Sequence, residues 1–133
     1  MHLTIGPSKL SGSVPAPGSK SHMIRATVIA SLAEGRSTIL RALDSLDTQA
    51  ALRACRALGA HIEIMPDAWI VDGVAGQVAT PDNVIDVGNS GTTLYVALSM
   101  AALGHGATVF TGDEQVRERS AENLLVSLRD LGA

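Results

Sequence analysis

The sequence predicts a mixed α/β fold in which one supersecondary unit occurs twice. Apolar stripes at helical spacing alternate with short β-branched and aliphatic runs, which is typical of helices packed on a sheet. Hydroxyl-rich segments with glycine, Gly18–Ser21 and Gly88–Gly91, precede two of the predicted helices at a separation of about 70 residues. Glycines also end successive helices at matching places. These observations predict repeated βαβαββ units.

The first half contains a complete set of predicted elements. Gly35 and Gly59 mark the ends of its two helices, and the segment from Ser45 to Thr48 has N-cap chemistry for the second. Pro66-Asp67 is a turn between two apolar runs. The predicted elements are an interrupted strand or edge strand over 3–15, a helix over 20–33, a strand over 37–43, a helix over 48–58 and a hairpin of 61–65 and 68–74.

The second half repeats this order up to its last helix. The predicted elements are an apolar run at 84–87, a helix ending at Leu103, a strand over 107–111, a polar loop over 112–119, and a helix with Ser120 as N-cap and Gly132 as its stop. Unit one therefore covers about residues 14–76 and unit two about 84–133. Unit two lacks its last two strands, so we expect residues 1–133 to be the N-terminal part of a longer domain.

Composition excludes several classes of partner. The 133 residues carry a formal net charge of −3, dispersed along the chain, which argues against nucleic acid or an anionic membrane. Phe110, Trp69 and Tyr95 are the aromatic residues, too few for a base-stacking platform. No apolar stretch of the sequence reaches membrane-spanning length, and the expected location is the cytoplasm.

The cysteine and histidines do not predict a metal or nucleophile site. Cys55 stands alone on an apolar helical stripe, which predicts a buried, inert thiol in a reducing compartment. The four histidines lack metal-ligand spacing. We therefore predict no bound metal.

The segment from Ser19 to Arg25 is a candidate anion site. Lys20 and Ser21 lie where a helix is predicted to begin, and free backbone N–H groups there favour a phosphate or carboxylate. Arg25 lies about one turn further along and adds a second cation. A capped surface helix with solvated charges is the alternative interpretation of the same residues.

Four short segments, taken together, resemble a known family. In chain order they are Pro17–Ser21 with Arg25-Ala26, Leu46–Thr48, Gly88–Thr92, and Gly112-Asp113 with Arg117–Arg119. From about residue 12 to residue 133 the chain resembles the N-terminal third of the 5-enolpyruvylshikimate-3-phosphate synthase family. The sister family that acts on UDP-N-acetylglucosamine is a poorer match at Ser19–Ser21.

The resemblance implies a fold and a reaction. The family consists of two domains built from six βαβαββ units, like inside-out α/β barrels, with the active site in the cleft. It transfers the enolpyruvyl group of phosphoenolpyruvate to the 5-hydroxyl of shikimate 3-phosphate, within aromatic amino acid biosynthesis. The resemblance implies no cofactor and small-molecule partners only. It also implies that the missing C-terminal portion supplies the proton-transfer carboxylate.

Residue roles follow from the resemblance alone. Lys20 is the implied catalytic residue and contacts both substrates, and with Ser21 and Arg25 it binds shikimate 3-phosphate. Gly91 and Arg119 bind phosphoenolpyruvate together with Lys20. Asn89 and Thr92 are implied to shape the loop before the second-unit helix. Asp47 also matches a family position, although an N-cap role accounts for it equally well.

The chain departs from the family pattern at three positions. Tyr95 stands where the family commonly has arginine, Gln115 where a further arginine is frequent, and Ser120 where proline is usual. These departures leave two alternatives open. One is a divergent enolpyruvyl transferase with another phosphorylated acceptor, and the other is a phosphate-binding module without catalysis. A structural or assembly role, with unit edges pairing with another chain, is a third interpretation.

Overall fold

The computed structural model describes residues 2–133 and confirms the mixed α/β class. In chain order its elements are α1 (Lys20–Leu32), β1 (Arg36–Leu40), α2 (Leu46–Ala57), β2 (His61–Met65), β3 (Ala68–Asp72), β4 (Ile85–Asp86), α3 (Gly91–Ala101), β5 (Phe110–Thr111), α4 (Glu114–Arg117) and α5 (Glu122–Asp130). The short helix α4 lies within the segment predicted as a polar loop, so that part of the prediction is wrong.

A serine caps each of the helices α1, α2 and α3. The hydroxyl oxygens of Ser19, Ser45 and Ser90 accept hydrogen bonds from backbone N–H groups three residues later. In α2 the bond is reciprocal, since the Thr48 hydroxyl also accepts the Ser45 N–H at 2.9 Å. This capping box starts α2 at Leu46, two residues before the predicted start.

Small and β-branched side chains allow α1, α2 and α3 to pack against one another. Four alanines of α2 and α3 are at most 1% exposed; they are Ala50, Ala51, Ala54 and Ala97. Thr27 and Ser31 of α1 are fully buried, and their hydroxyls donate to carbonyls one turn earlier at 2.9 and 2.7 Å. Because no polar side-chain atom is left unpaired in the described core, these hydroxyls are tolerated between helices.

The larger sheet confirms the predicted hairpin. Its strand order is β1-β3-β2, with both neighbours antiparallel to β3, and the chain turns at Pro66-Asp67. Ile62, Trp69 and Val71 are at most 2% exposed and face the helices, whereas His61 and Glu63, the residues that alternate with Ile62 along β2, are exposed. The sheet thus has one covered face, which supports the packed helices.

The segment 73–76, which follows β3, caps the C-terminal end of α1. The N–H groups of Val74, Ala75 and Gly76 donate to the carbonyls of Ser31, Ala33 and Leu32 at 2.8–3.0 Å. These carbonyls lie at the helix end, where partners from within the helix are lacking. Gly73 lies so close to the end of α1 that an added Cβ would overlap the backbone oxygens of Ala30 and Ala33. This contact joins the sheet to the helix layer.

The predicted strand over residues 3–15 is wrong. Residues 2–18 are exposed and contain no strand, and they take no part in the backbone hydrogen bonds of the described chain. A strand requires a hydrogen-bonding neighbour, and Pro7 and Pro15 remove two of the donors. Across residues 2–133, no helix combines the length and apolar character that crossing a membrane requires.

The second unit is less buried than the first. Strands β4 and β5 pair in parallel, Ile85 with Phe110 and Asp86 with Thr111. Helix α5 has no buried residue, and an apolar groove separates it from α3. The predicted N-cap Ser120 is wrong by one residue: Ala121 occupies that position, while the Ser120 hydroxyl accepts the Glu122 N–H at 3.2 Å.

The predicted burial of Cys55 is confirmed. Its side chain is fully buried in α2, and removal from water raises the pKa of the thiol to about 11. The nearby Ser31 side chain acts in the opposite direction on this pKa. The thiol is therefore protonated near neutral pH and poorly nucleophilic.

We expect Gly73→Ala to lower the free energy of unfolding by about 2–4 kcal/mol, because its methyl group would overlap the carbonyl oxygens of Ala30 and Ala33. Urea denaturation followed by circular dichroism measures this change. Gly6→Ala is the matched control, since no atom lies within 4 Å of an added Cβ there. Its expected effect is within about 0.5 kcal/mol. Equal stabilities for the two variants would contradict this view of the β3–α1 contact.

Candidate functional site

The N-terminal ends of α1, α2 and α3 meet at one surface. Lys20, the first residue of α1, forms an ion pair with Asp47 in the first turn of α2, with Nζ and Oδ2 2.7 Å apart. The Thr93 hydroxyl in the first turn of α3 donates to the Asp47 carbonyl at 3.3 Å. Three helix N-termini therefore present partial positive charge on the same side. Such an arrangement favours a bound anion.

The predicted shikimate-phosphate residues lie at the start and second turn of α1. The Lys20 side chain is 53% exposed, Arg25 is exposed and Ser21 is half-buried. In the described chain, no hydrogen bond or ion pair involves the side chains of Ser21 or Arg25. Asp47 is not the N-cap of α2, because Ser45 holds that position. Its carboxylate instead neutralises Lys20.

The loop before α3 is tied to the segment around α4. The Asp113 N–H donates to the Gly88 carbonyl at 3.0 Å. The Asn89 side-chain amide donates to the Asp113 carboxylate and, at 3.0 Å, to Gln115. Gly88 has a φ of 56°, a left-handed conformation that a glycine adopts without strain. Asn89 thus determines how the two loops lie relative to each other.

Gly91 and Arg119, two residues that the resemblance assigns to the same ligand, are in contact. Gly91 is buried at the first position of α3, and the Arg119 guanidinium lies directly over it. A Cβ at position 91 would overlap this guanidinium. Arg119 itself is exposed. The absence of a side chain therefore lets a cation lie against the N-terminus of a helix.

The remaining predicted residues and departures lie around the same loops. Thr92 is half-buried in the first turn of α3, whereas its neighbour Thr93 is buried and bonded to Asp47. The Tyr95 hydroxyl donates to the Ser120 carbonyl at 3.1 Å. The three departures from the family pattern therefore all take part in hydrogen bonds of the loops near Arg119.

Sequence reasoning missed Thr93 and Asp113 as organising residues. The spacing Ser90-x-x-Thr93 resembles the Ser45-x-x-Thr48 box of α2, and the hydroxyls of Ser90 and Thr93 are 2.7 Å apart. That repeated spacing was the available signal for Thr93. Asp113 is the N-cap of α4, and its side chain accepts the Val116 N–H at 3.0 Å.

We expect the Asp113 carboxyl to titrate below 3.8. Hydrogen bonds from the Val116 N–H, and secondly from the Asn89 amide, lower its pKa from that ordinary value. Since the folded pKa is the lower one, the stabilisation of the loop exists above the unfolded pKa and disappears as the pH falls through the folded pKa. Carboxyl ¹³C NMR measures the midpoint.

Asn89→Ala should move that midpoint upward while leaving it below 3.8, because the Val116 N–H still donates. Asn123→Ala in α5 removes the same type of side chain away from Asp113 and should leave the midpoint unchanged. A midpoint that both substitutions move equally would contradict this account of the loop.

Sequence and structure comparisons agree on one family. The family model for EPSP synthase (3-phosphoshikimate 1-carboxyvinyltransferase) matches residues 5–133. The chain is 52% identical over 133 residues to 3-phosphoshikimate 1-carboxyvinyltransferase of Acetivibrio thermocellus, covering 100% of this chain and 31% of that protein. It is 50% identical over 132 residues to the enzyme of the same name from Methanococcoides burtonii, covering 99% and 31%.

A solved structure shows the same architecture. EPSP synthase from Acinetobacter baumannii superimposes with a TM-score of 0.83 at 30% identity, covering 92% of this chain and 28% of that one. The chain therefore spans about a third of the length of the curated relatives it matches. The shared segments, the superposition and the family match lead to one conclusion: this chain belongs to the EPSP synthase (3-phosphoshikimate 1-carboxyvinyltransferase) family.

Proposed function

We propose that this chain supplies one wall of a cleft in which an enolpyruvyl group passes from phosphoenolpyruvate to the 5-hydroxyl of shikimate 3-phosphate. The observation that carries the proposal is the meeting of three helix N-termini beside Lys20, in a member of this family. Both substrates carry a phosphate and a carboxylate. A surface with several positive ends is suited to hold them together.

Lys20 is the residue that we assign to both substrates. Two anions about 4 Å apart repel each other by about 4 kcal/mol at an effective dielectric constant of about 20, so a cation between them lowers the cost of their approach. The Lys20–Asp47 pair is more than half exposed on the lysine side, and such pairs contribute at most about 1 kcal/mol. A substrate phosphate can therefore replace Asp47 as the partner of Lys20.

The other residues divide between the two substrates. Ser21 and Arg25 bind the phosphate of shikimate 3-phosphate, with the guanidinium supplying directed hydrogen bonds. Arg119 binds the phosphoenolpyruvate anion over Gly91, where its cation adds to the positive end of α3. The loop between these two groups is held in shape by Asn89, while Thr92 borders it.

Lys20→Ala should weaken binding of shikimate 3-phosphate by about ten- to a hundredfold, as expected for a lost charge-assisted hydrogen bond. Isothermal titration calorimetry on the purified chain measures the affinity. Lys9→Ala is the matched control, because Lys9 is exposed in the segment before α1 and the substitution changes the net charge equally.

Circular dichroism should show both lysine variants folded, since neither removes a buried group. Equal heats for wild type and Lys20→Ala would contradict the assignment of Lys20. Equal losses in the Lys9 and Lys20 variants would indicate attraction by net charge without a specific ligand site.

The chain by itself should show no turnover, because it spans about a third of the length of its relatives. The resemblance also implies that the proton-transfer carboxylate lies outside these residues. A chimera in which residues 1–133 replace the matching third of the Acetivibrio thermocellus enzyme should release phosphate when given both substrates. Transferase activity of the chain alone would refute the first expectation. A folded chimera that is inactive with shikimate 3-phosphate but uses another phosphorylated acceptor would contradict the proposed acceptor.

A further inference from the structure

The hydroxyl of Tyr95 links helix α3 to the residue that follows Arg119. It donates to the backbone carbonyl of Ser120 at 3.1 Å. From this geometry we propose that Tyr95 is a positioning residue, which holds the 119–120 backbone so that the Arg119 guanidinium lies over Gly91. The inference rests on the proposed function, because it assigns Arg119 to the bound anion.

The positions of the four residues explain why one hydroxyl has this effect. Gly91 and Tyr95 are four residues apart on α3, so they lie one above the other on the same helix face. Arg119 and Ser120 are adjacent in the chain and lie opposite that face. The Arg119 guanidinium contacts Gly91, and the Tyr95 hydroxyl holds the Ser120 backbone one turn further along α3. Arg119 and Ser120 are thereby aligned along one turn of α3.

The segment from Asp113 to Arg119 is also held in place at its N-terminal end. Asp113 bonds to Gly88 and Asn89, and Val116 is buried with 3% of its surface exposed. The Arg119 N–H donates to the Val116 carbonyl, which continues the turn of α4. Among the described residues, the side-chain group that donates a hydrogen bond to the Ser120 backbone is the Tyr95 hydroxyl. Without it, the described residues between α4 and α5 make no side-chain hydrogen bond to α3 at this end.

An ordered backbone at residues 119–120 affects anion binding because the arginine side chain has many rotatable bonds. An exposed guanidinium that binds an anion loses rotamer freedom on binding. Fixing the backbone at Ser120 removes part of that loss before the anion arrives, which favours binding. The Tyr95 hydroxyl bonds to the backbone next to Arg119, so its effect passes through Arg119.

The test compares wild type, Tyr95→Phe and Ser99→Ala in the intact chain. Ser99 lies on α3 and donates to the Tyr95 carbonyl at 3.1 Å, so Ser99→Ala removes a hydroxyl from the same helix without touching the loop. Nuclear Overhauser contacts between the Arg119 side chain and the Gly91 Hα report the position of the guanidinium. Titration with inorganic phosphate reports anion affinity; it is followed at the Gly91 backbone N–H in every variant, and also at the Arg119 Nε–H where that arginine is present.

Tyr95→Phe should weaken the Arg119–Gly91 contact and raise the phosphate dissociation constant by about three- to tenfold. Ser99→Ala should leave both measurements unchanged. Arg119→Ala combined with Tyr95→Phe should bind phosphate no more weakly than Arg119→Ala alone, since Tyr95 acts through Arg119. The conservative substitution keeps the aromatic ring, so a change in these measurements is due to the hydroxyl.

An unchanged Arg119–Gly91 contact in Tyr95→Phe would overturn the inference, as would a lost contact with unchanged phosphate affinity. Additive losses in the double variant would also overturn it, since Tyr95 would then act independently of Arg119. The proposed function fails by a different observation: wild type that shows no phosphate-dependent change at Arg119. In that case the ligand assignment is wrong.

Discussion

The close packing of α1 against α2 and α3 is the constraint on which the candidate site depends. Alanines at the helix contacts are almost fully buried, so the helices lie near enough for their first turns to touch. The Lys20–Asp47 ion pair and the Thr93–Asp47 hydrogen bond both result from this proximity. A larger side chain at the fully buried Ala51 or Ala97 would not fit without moving a neighbouring element, which would disturb this arrangement of helix ends.

Local charge, more than net charge, determines what this surface can bind. The chain has a formal net charge of −3, yet three helix N-termini meet beside Lys20, and Arg119 lies over Gly91 at the start of α3. Asp47 offsets part of this positive charge through an exposed ion pair with Lys20. Because exposed pairs are weak, the Lys20–Asp47 pair adds at most about 1 kcal/mol to stability.

The loop before α3 and the segment around α4 are joined by side-chain hydrogen bonds. Asn89 bonds to both Asp113 and Gln115, and Tyr95 bonds to Ser120. Gln115, Tyr95 and Ser120 are the positions where the chain departs from the family pattern. Their hydrogen bonds indicate that polar contacts between loops here take the place of the residues that the family commonly has.

The sequence by itself determined the α/β class, the helices and hairpin of the first unit, and the burial of Cys55. Glycine stops, serine caps and apolar periodicity are local signals, which is why they can be interpreted without a fold. Only the tertiary structure decided that Asp47 pairs with Lys20, that residues 73–76 cap α1, that residues 2–18 form no strand, and that Tyr95 reaches Ser120. These outcomes depend on contacts between residues far apart in the chain, or on the lack of a strand partner, and no local pattern specifies either.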